Sequence, residues 1–436
     1  MNSEEVKEYV VDFQKKELPP MIKRELKVPD TSKIITIIGP RRTGKTFFLM
    51  QKMLNLLEAG VKKNSILYLN FEDPRLTGIS FKEMREIIKI HWQAYPESIK
   101  ERLHLFVDEP QNIENWETAV RSLHDEGFHI FLSGSSSRLL SSEIATSLRG
   151  RTLTYTLLPF SFREFLKMKS SAPETERLGS KEKAALRSQL DEYLEFGGFP
   201  EVIKEKERET KIKIISEYLD LIVYKDLVER YHIKNTQIIK WLIKSLIASF
   251  SKELSVHKIY LTLKSQGIKL SKNTLYTYAS MLQDVLFLWL LTPFNRSIRK
   301  KDFSINKAYL ADNGFSNLAE HSKNKGRKME NATFLELKRR QKSTEAISYW
   351  KTPQGDEVDF VLLEKTKAKQ LIQVCCELSE PDIKEREARA LIKASKELKC
   401  KNLLIITDEK EGEEELAWFG TKRKIIFKPL WKWLLE

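Results

Sequence analysis

The amino-acid sequence predicts an α/β protein: a parallel sheet flanked by helices, then a helical module, then a second α/β domain. Three observations predict it. Short apolar runs alternate with helical patterns through residues 1–168, helical patterns dominate from about 184 to 284, and strand-like runs return after about 301. The 436 residues suffice for about three domains with cores of their own.

In the first region the apolar runs are 34–38, 66–71, 103–107 and 128–132. They are continuous rather than alternating, as in strands buried on both faces of a parallel sheet. The polar stretch 169–183 carries Pro173, Gly179 and several serines and reads as a loop or linker opening a helical lid region, 169–230. That region is broken at Phe196-Gly197-Gly198-Phe199-Pro200, and 181–199 is expected near a hinge. Residues 231–300 read as a separate module of three helices. Ser255 caps the second, which ends at Gly267, Ser271 caps the third, and a strand-like run at 285–291 follows, the outline of a winged helix. In 301–436, runs at 346–350, 358–363, 370–375 and 402–406, with helices between and after them, form the second α/β domain.

Hydrophobic residues make up 41% of the chain, which excludes a disordered polymer. Lys and Arg number 75 against 61 Asp and Glu, a formal charge of +14. Such an excess suits an anionic partner such as nucleic acid, and a solvated lysine-rich surface accounts for it equally well. The opening MNSEEVKEYVVDFQ is acidic and amphipathic, and the apolar run 285–291 is too short to cross a bilayer. The three cysteines show neither CxxC nor zinc spacing. The expectation is a cytoplasmic protein with no membrane partner.

Gly39-Pro40-Arg41-Arg42-Thr43-Gly44-Lys45-Thr46 fits G-x-x-x-x-G-K-[ST] between an apolar strand and an apolar helix. This is the P-loop arrangement: glycines let backbone N–H groups curl around phosphates, and the helix N-terminus adds positive potential. Lys45 is expected on the β- and γ-phosphates of ATP and the Thr46 hydroxyl on Mg²⁺. The strand 103–107 ends in Asp108 and Glu109. Asp108 suits the Mg²⁺ shell, and Glu109 suits a general base that polarises the attacking water.

With GPRRTGKT, the segment Asp108-Glu109-Pro110-Gln111, the cluster Ser133-Gly134-Ser135-Ser136 and Phe196-Gly197-Gly198-Phe199-Pro200, the chain resembles bacterial and archaeal AAA+ ATPases that carry a nuclease-like C-terminal domain. The resemblance implies an AAA+ type P-loop NTPase sheet and a polar sensor after the fourth strand, best matched by Ser135. It also implies arginine fingers acting on a neighbouring subunit of a homo-oligomer, for which Arg149 and Arg151 are the candidates. An ordinary surface ion pair is the competing reading of both arginines, and a simple turn that of the serines.

In the winged-helix-like module, Lys272, Asn273 and Tyr276 open the third helix, where residues of such modules reach base edges of double-stranded DNA. Arg296, Arg299, Lys300 and Lys301 follow and suit phosphates, although such modules also dock proteins. The C-terminal domain resembles the P-D-(D/E)-x-K restriction-endonuclease-like fold through Glu330, Asp359 and the strand carrying Gln373 and Cys375. Active members hold Mg²⁺ with an Asp and an E-x-K pair; here Gln373 and Cys375 replace the acid and the lysine. A degenerate site is therefore expected, with a shifted metal site through Glu377 as the alternative. Three functions stay open: a DNA-acting ATP switch, an ATP-gated protein-binding switch, and an ATP-dependent nuclease.

Overall fold

The computed structural model describes the chain apart from residues 1, 135–147, 172–178, 296–304, 320–323 and 379. It comprises two compact units, Met1–Leu158 and Pro159–Glu436.

The first unit contains helices α1 (Ser3–Lys15), α2 (Lys45–Glu58), α3 (Met84–Ala94) and α4 (Trp116–Asp125). Its strands are β1 (Ile34–Ile38), β2 (Ile66–Asn70), β3 (His104–Asp108), β4 (His129–Gly134) and β5 (Thr152–Thr156). They form a parallel sheet in the order β2-β3-β4-β1-β5. All five residues of β1 are buried, which is what its unbroken Ile34-Ile35-Thr36-Ile37-Ile38 sequence requires of a strand covered on both faces. On one face Ile35 and Ile37 pack with Phe48, Leu49 and Met53 of α2 and with Tyr68, Phe106 and Phe131. The strand order reverses at β1, so its carboxyl end is the crevice where α/β sheets place ligands. The unit closes at Leu158, short of the expected boundary at 168.

The second unit opens with α5 (Phe162–Met168), α6 (Ser180–Phe196), α7 (Pro200–Lys204) and α8 (Arg208–Leu221), the last running on as a π-helical turn, Ile222–Glu229. Helix α6 therefore begins inside the expected 169–183 linker, and residues 172–178 lie outside the described ones. The Phe196–Pro200 segment, at the end of the stretch 181–199 expected near a hinge, is packed into the core. Phe199 is fully buried against Tyr218 and Phe315, and Gly198 exchanges backbone contact with Phe160. Gly197 takes φ 77°, and the buried Asp312 carboxylate accepts from the N–H groups of Gly198 (2.7 Å) and Gly314 (2.8 Å).

Next come α9 (Thr236–Ala248), β6 (Lys252–Leu254), α10 (Val256–Ser265), α11 (Lys272–Asp284), β7 (Leu288–Leu291) and β8 (Asn306–Leu310). Ser255 and Ser271 cap α10 and α11 by accepting from the N–H groups of Lys258 and Thr274, as their sequence positions predict. The strand expected at 285–291 is shorter because Leu286 turns the chain with φ 57°. The three strands form an antiparallel sheet ordered β6-β8-β7, so the expected boundary at 300 cuts through it. Strand β8 also serves two cores. Ala308 and Leu310 join the module's own core, while Lys307 and Tyr309, one residue out of phase, point to the domain that follows.

That domain has α12 (Lys325–Arg340), β9 (Glu345–Lys351), β10 (Glu357–Glu364), β11 (Lys367–Cys375), α13 (Pro381–Leu398), β12 (Leu403–Thr407), β13 (Gly412–Trp418), β14 (Thr421–Pro429) and α14 (Leu430–Leu434). Its six-stranded mixed sheet runs β13-β14-β12-β11-β10-β9. The antiparallel hairpin β13–β14 stands where the sequence suggested helices. Among the described residues no helix is long and apolar enough to cross a membrane.

Candidate functional site

The phosphate loop leaves β1 at Gly39 and enters α2 at Lys45. A Cβ at Gly39 would stand 2.2 Å from the Leu157 carbonyl oxygen, and Gly44 takes φ 88° as the residue that caps α2. Both positions therefore demand glycine. Between them Pro40 and Arg41 lead to Arg42, itself left-handed at φ 64°, and the Thr43 hydroxyl donates to the Pro40 carbonyl at 2.9 Å. The Lys45 ammonium lies over the loop, donating to the carbonyls of Gly39 (3.1 Å) and Pro40 (2.9 Å). A loop curled this way beneath a helix N-terminus favours an anion.

Strand β3 delivers the second half. Asn70, Asp108 and Ser133 occupy one rung across β2, β3 and β4. The Asp108 carboxylate is buried and accepts from the hydroxyls of Thr46 (2.6 Å), Tyr68 (3.1 Å) and Ser133. Burial pushes its carboxyl above the usual range, and the Ser133 and Thr46 hydroxyls work against that. Thr46 and Asp108 thus bring a hydroxyl and a carboxylate oxygen together at the mouth of the loop. Those are the donors Mg²⁺ takes from a protein when phosphates and water complete its shell.

Glu109 follows Asp108 in a left-handed conformation, φ 52°, immediately before Pro110. Such a conformation is costly for a residue with a side chain, and strain of that kind collects at functional sites. Its N–H donates to the Ser133 carbonyl (2.8 Å), and its carboxylate accepts from the Gln111 amide.

Arg24 carries no sequence signal and is buried beneath the loop. Its guanidinium donates to the carbonyls of Thr43 (2.8 Å) and Leu158 (2.7 Å), and its backbone N–H donates to Gln51 (2.7 Å). It ties the loop to the exit of β5. Arg24→Ala is expected to cost about 2–3 kcal/mol of stability, because two buried carbonyls lose a charged donor. ATP affinity should fall roughly tenfold as the loop slackens. Chemical denaturation and titration of a fluorescent ATP analogue measure the two effects; an unchanged affinity would show that the loop holds its shape without Arg24.

The remaining sequence-predicted residues fall differently. Ser135 lies outside the described residues; Ser133, two positions earlier, is the serine that contacts Asp108. Arg149 and Arg151 precede β5, at the end of the strands opposite the one from which the phosphate loop leaves β1, so neither serves the site of its own chain. Arg151 is paired with Asp125 at 2.9 Å, the surface ion pair that competed with the finger reading. Lys272, Asn273 and Tyr276 are exposed in the first turns of α11, with the Lys272 ammonium over the Tyr260 ring. Arg296, Arg299, Lys300 and Lys301 lie outside the described residues.

In the C-terminal domain Glu330, Asp359 and Gln373 do come together. The Gln373 side-chain oxygen accepts from the Asp359 N–H (3.2 Å), and its amide donates to Glu387 of α13 (2.6 Å), an acid the sequence did not single out. Glu377 is exposed and lies beyond the end of β11 at Cys375, so it does not share the strand face on which the shifted metal site was expected. Cys375 is buried, with its thiol pushed up to about 11 by burial. The space between Glu330 and Asp359 is filled by Lys307 of β8.

The parallel sheet, the glycine-shaped loop and the Asp108 rung define a P-loop NTPase. Residues 31–166 match the family model described as AAA domain, while 187–325 and 325–420 match two domains of unknown function, DUF8612 and DUF4143. The chain belongs to the family of Uncharacterized protein MJ1544 of Methanocaldococcus jannaschii, with 42% identity over 406 residues covering 93% of this chain and 88% of that one. An uncharacterized protein of Haemophilus influenzae is similar at 31% over 371 residues, covering 83% and 88%. Among solved structures, the Aeropyrum pernix ORC1 protein in complex with DNA is similar at 14% identity and a TM-score of 0.26, covering 65% of this chain and 86% of that one. AMPPCP-bound DnaA from Aquifex aeolicus is similar at 14% and 0.24, covering 64% and 85%. Superpositions that loose say nothing of function.

Proposed function

We propose that this protein is an AAA+ type ATP switch that binds Mg-ATP in the Gly39–Thr46 loop, hydrolyses it with Glu109 as base, and acts on DNA. The observation that carries the reading is the approach of the Thr46 hydroxyl to the Asp108 carboxylate at the N-terminus of α2. Lys45 would meet the phosphates, Thr46 and Asp108 would hold Mg²⁺, and the ion would offset the charge that develops on the γ-phosphate. Glu109 would orient and deprotonate water; its N–H bond to the Ser133 carbonyl and the Ser133 hydroxyl on Asp108 support this reading.

The DNA part rests on the second unit. Helix, strand, two helices and two strands, with the sheet ordered β6-β8-β7, support a winged-helix reading. The exposed start of α11 presents Lys272, Asn273 and Tyr276 as groups suited to a groove. With a net charge of +14, binding to duplex DNA should weaken steeply with salt. The test is steady-state Mg-ATP hydrolysis with and without duplex DNA at two salt concentrations, for wild type and Lys272→Ala/Tyr276→Ala. Stimulation by DNA that the double variant loses supports the reading; turnover indifferent to DNA sinks its DNA half.

The order α12-β9-β10-β11-α13-β12 supports kinship of the last domain with restriction-endonuclease-like folds. The ammonium between Glu330 and Asp359 argues against cutting. That favours the second reading, an ATP-gated switch in which this domain is a protein-binding platform.

A further inference from the structure

Among the described residues of the second unit, Lys307 is the most deeply embedded ammonium, 2% exposed on β8. Three carboxylates from two elements close on it: Glu330 of α12 at 3.1 Å, and Glu357 and Asp359 of β10 at 2.5 Å and 2.8 Å. Other bonds fix two of these acids in place. Asp359 spends Oδ2 on the Val374 N–H (2.9 Å) and leaves Oδ1 to Lys307. Glu330 takes the Tyr309 hydroxyl (2.7 Å) and the ammonium on one oxygen. Tyr309 is itself fixed by stacking on Phe334, with ring centroids 4.2 Å apart.

The charge count is unbalanced. Glu357 also meets Lys351, which in turn meets Glu253, so four carboxylates share two ammonium groups. A buried cluster this rich in acid is stable only with a cation in its middle.

The geometry points to Lys307 as that cation: its ammonium, carried in by β8, occupies a divalent-metal position formed by Glu330, Glu357 and Asp359 and keeps it closed to metal. This deepens the degenerate-nuclease reading of the domain but does not depend on it, because it rests only on where these four side chains stand. Loss of the acid and lysine at Gln373 and Cys375 is then one of two departures from a working metal site, and the second comes from outside the domain's own sheet. Three carboxylate oxygens of hard character suit Mg²⁺ or Mn²⁺ once the ammonium is gone.

The experiment is titration of the nucleotide-free full chain with Mn²⁺, followed by the electron-spin-resonance signal of free Mn²⁺ and by thermal melting. All arms carry Asp108→Asn, which removes the other carboxylate poised to take the ion. Lys307→Ala and Lys307→Met, the second keeping the volume of the stem, are each expected to bind one Mn²⁺ per chain at least about tenfold more tightly than the Lys307 parent. The melting temperature should rise with Mn²⁺ in the variants alone, and adding Asp359→Asn should abolish the gain. If the variants unfold when metal is absent, recovery of the folded state on adding Mn²⁺ takes the place of the titration and supports the inference equally. Folded variants with no gain, unfolded variants that Mn²⁺ does not recover, or a parent that binds Mn²⁺ as tightly would each overturn it. None of these outcomes touches ATP turnover, so the inference and the proposed function fail separately.

Discussion

Glu109→Gln is expected to lower ATP turnover by about 10²–10³-fold while leaving ATP affinity within about threefold. Glutamine keeps the shape of the side chain, so the left-handed turn before Pro110 and the Glu109 N–H bond to Ser133 persist, and only the basic oxygen is lost. The phosphate loop, Lys45 and the Thr46–Asp108 pair are untouched, so binding should survive. Asp108→Asn should behave differently. It removes charge from the metal position itself, so the Mg²⁺ concentration needed for half-maximal turnover should rise along with the loss of rate. Single-turnover assays across a Mg²⁺ series separate the two. Equal rates for wild type and Glu109→Gln would mean that water is activated by some other group, and Glu109 would then be a structural turn residue.

The halves of this site differ in how far the sequence discloses them. The loop from Gly39 to Thr46 is legible because one contiguous stretch supplies the cradle, the ammonium and the metal-facing hydroxyl. Asp108 is legible because an unbroken apolar strand ends on it. The third contact is not: Ser133 meets Asp108 only because β4 inserts between β1 and β3, and strand order is set by long-range pairing that local patterning does not carry. Arg24, Tyr68 and Lys307 escape for the same reason, each reaching its partner across a large separation in sequence. The hairpin β13–β14 was hidden by composition. In Gly412-Glu413-Glu414-Glu415-Leu416-Ala417-Trp418 an edge strand exposes acids on its open face and reads as helix. The boundary placed at 300 failed because β8, which closes the three-stranded sheet, comes after a basic stretch that looks like the end of a module.

Phe196-Gly197-Gly198-Phe199-Pro200 was visible in sequence as a break, but its role as a buried lock was not, and that role makes the strongest stability prediction. A Cβ at Gly197 would lie 1.6 Å from an oxygen of Asp312, and its φ 77°, ψ −160° backbone, open essentially to glycine alone, adds strain of about 1–3 kcal/mol. The carboxylate has little room to yield, because the N–H groups of Gly198 and Gly314 hold both its oxygens in a fully enclosed place. Gly197→Ala is therefore expected to destabilise the second unit by more than about 3 kcal/mol, measured by urea denaturation. Gly267 is the control within the same unit: its φ is 78°, and nothing lies within 4 Å of its would-be Cβ, so Gly267→Ala should show a positive-φ backbone cost without any clash. Combining Gly197→Ala with Asp312→Ala should cost less than the sum of the two single changes, since removing the carboxylate makes the space that the methyl group needs. Equal costs at Gly197 and Gly267 would mean that the loop shifts freely around Asp312, and the lock would be no lock at all.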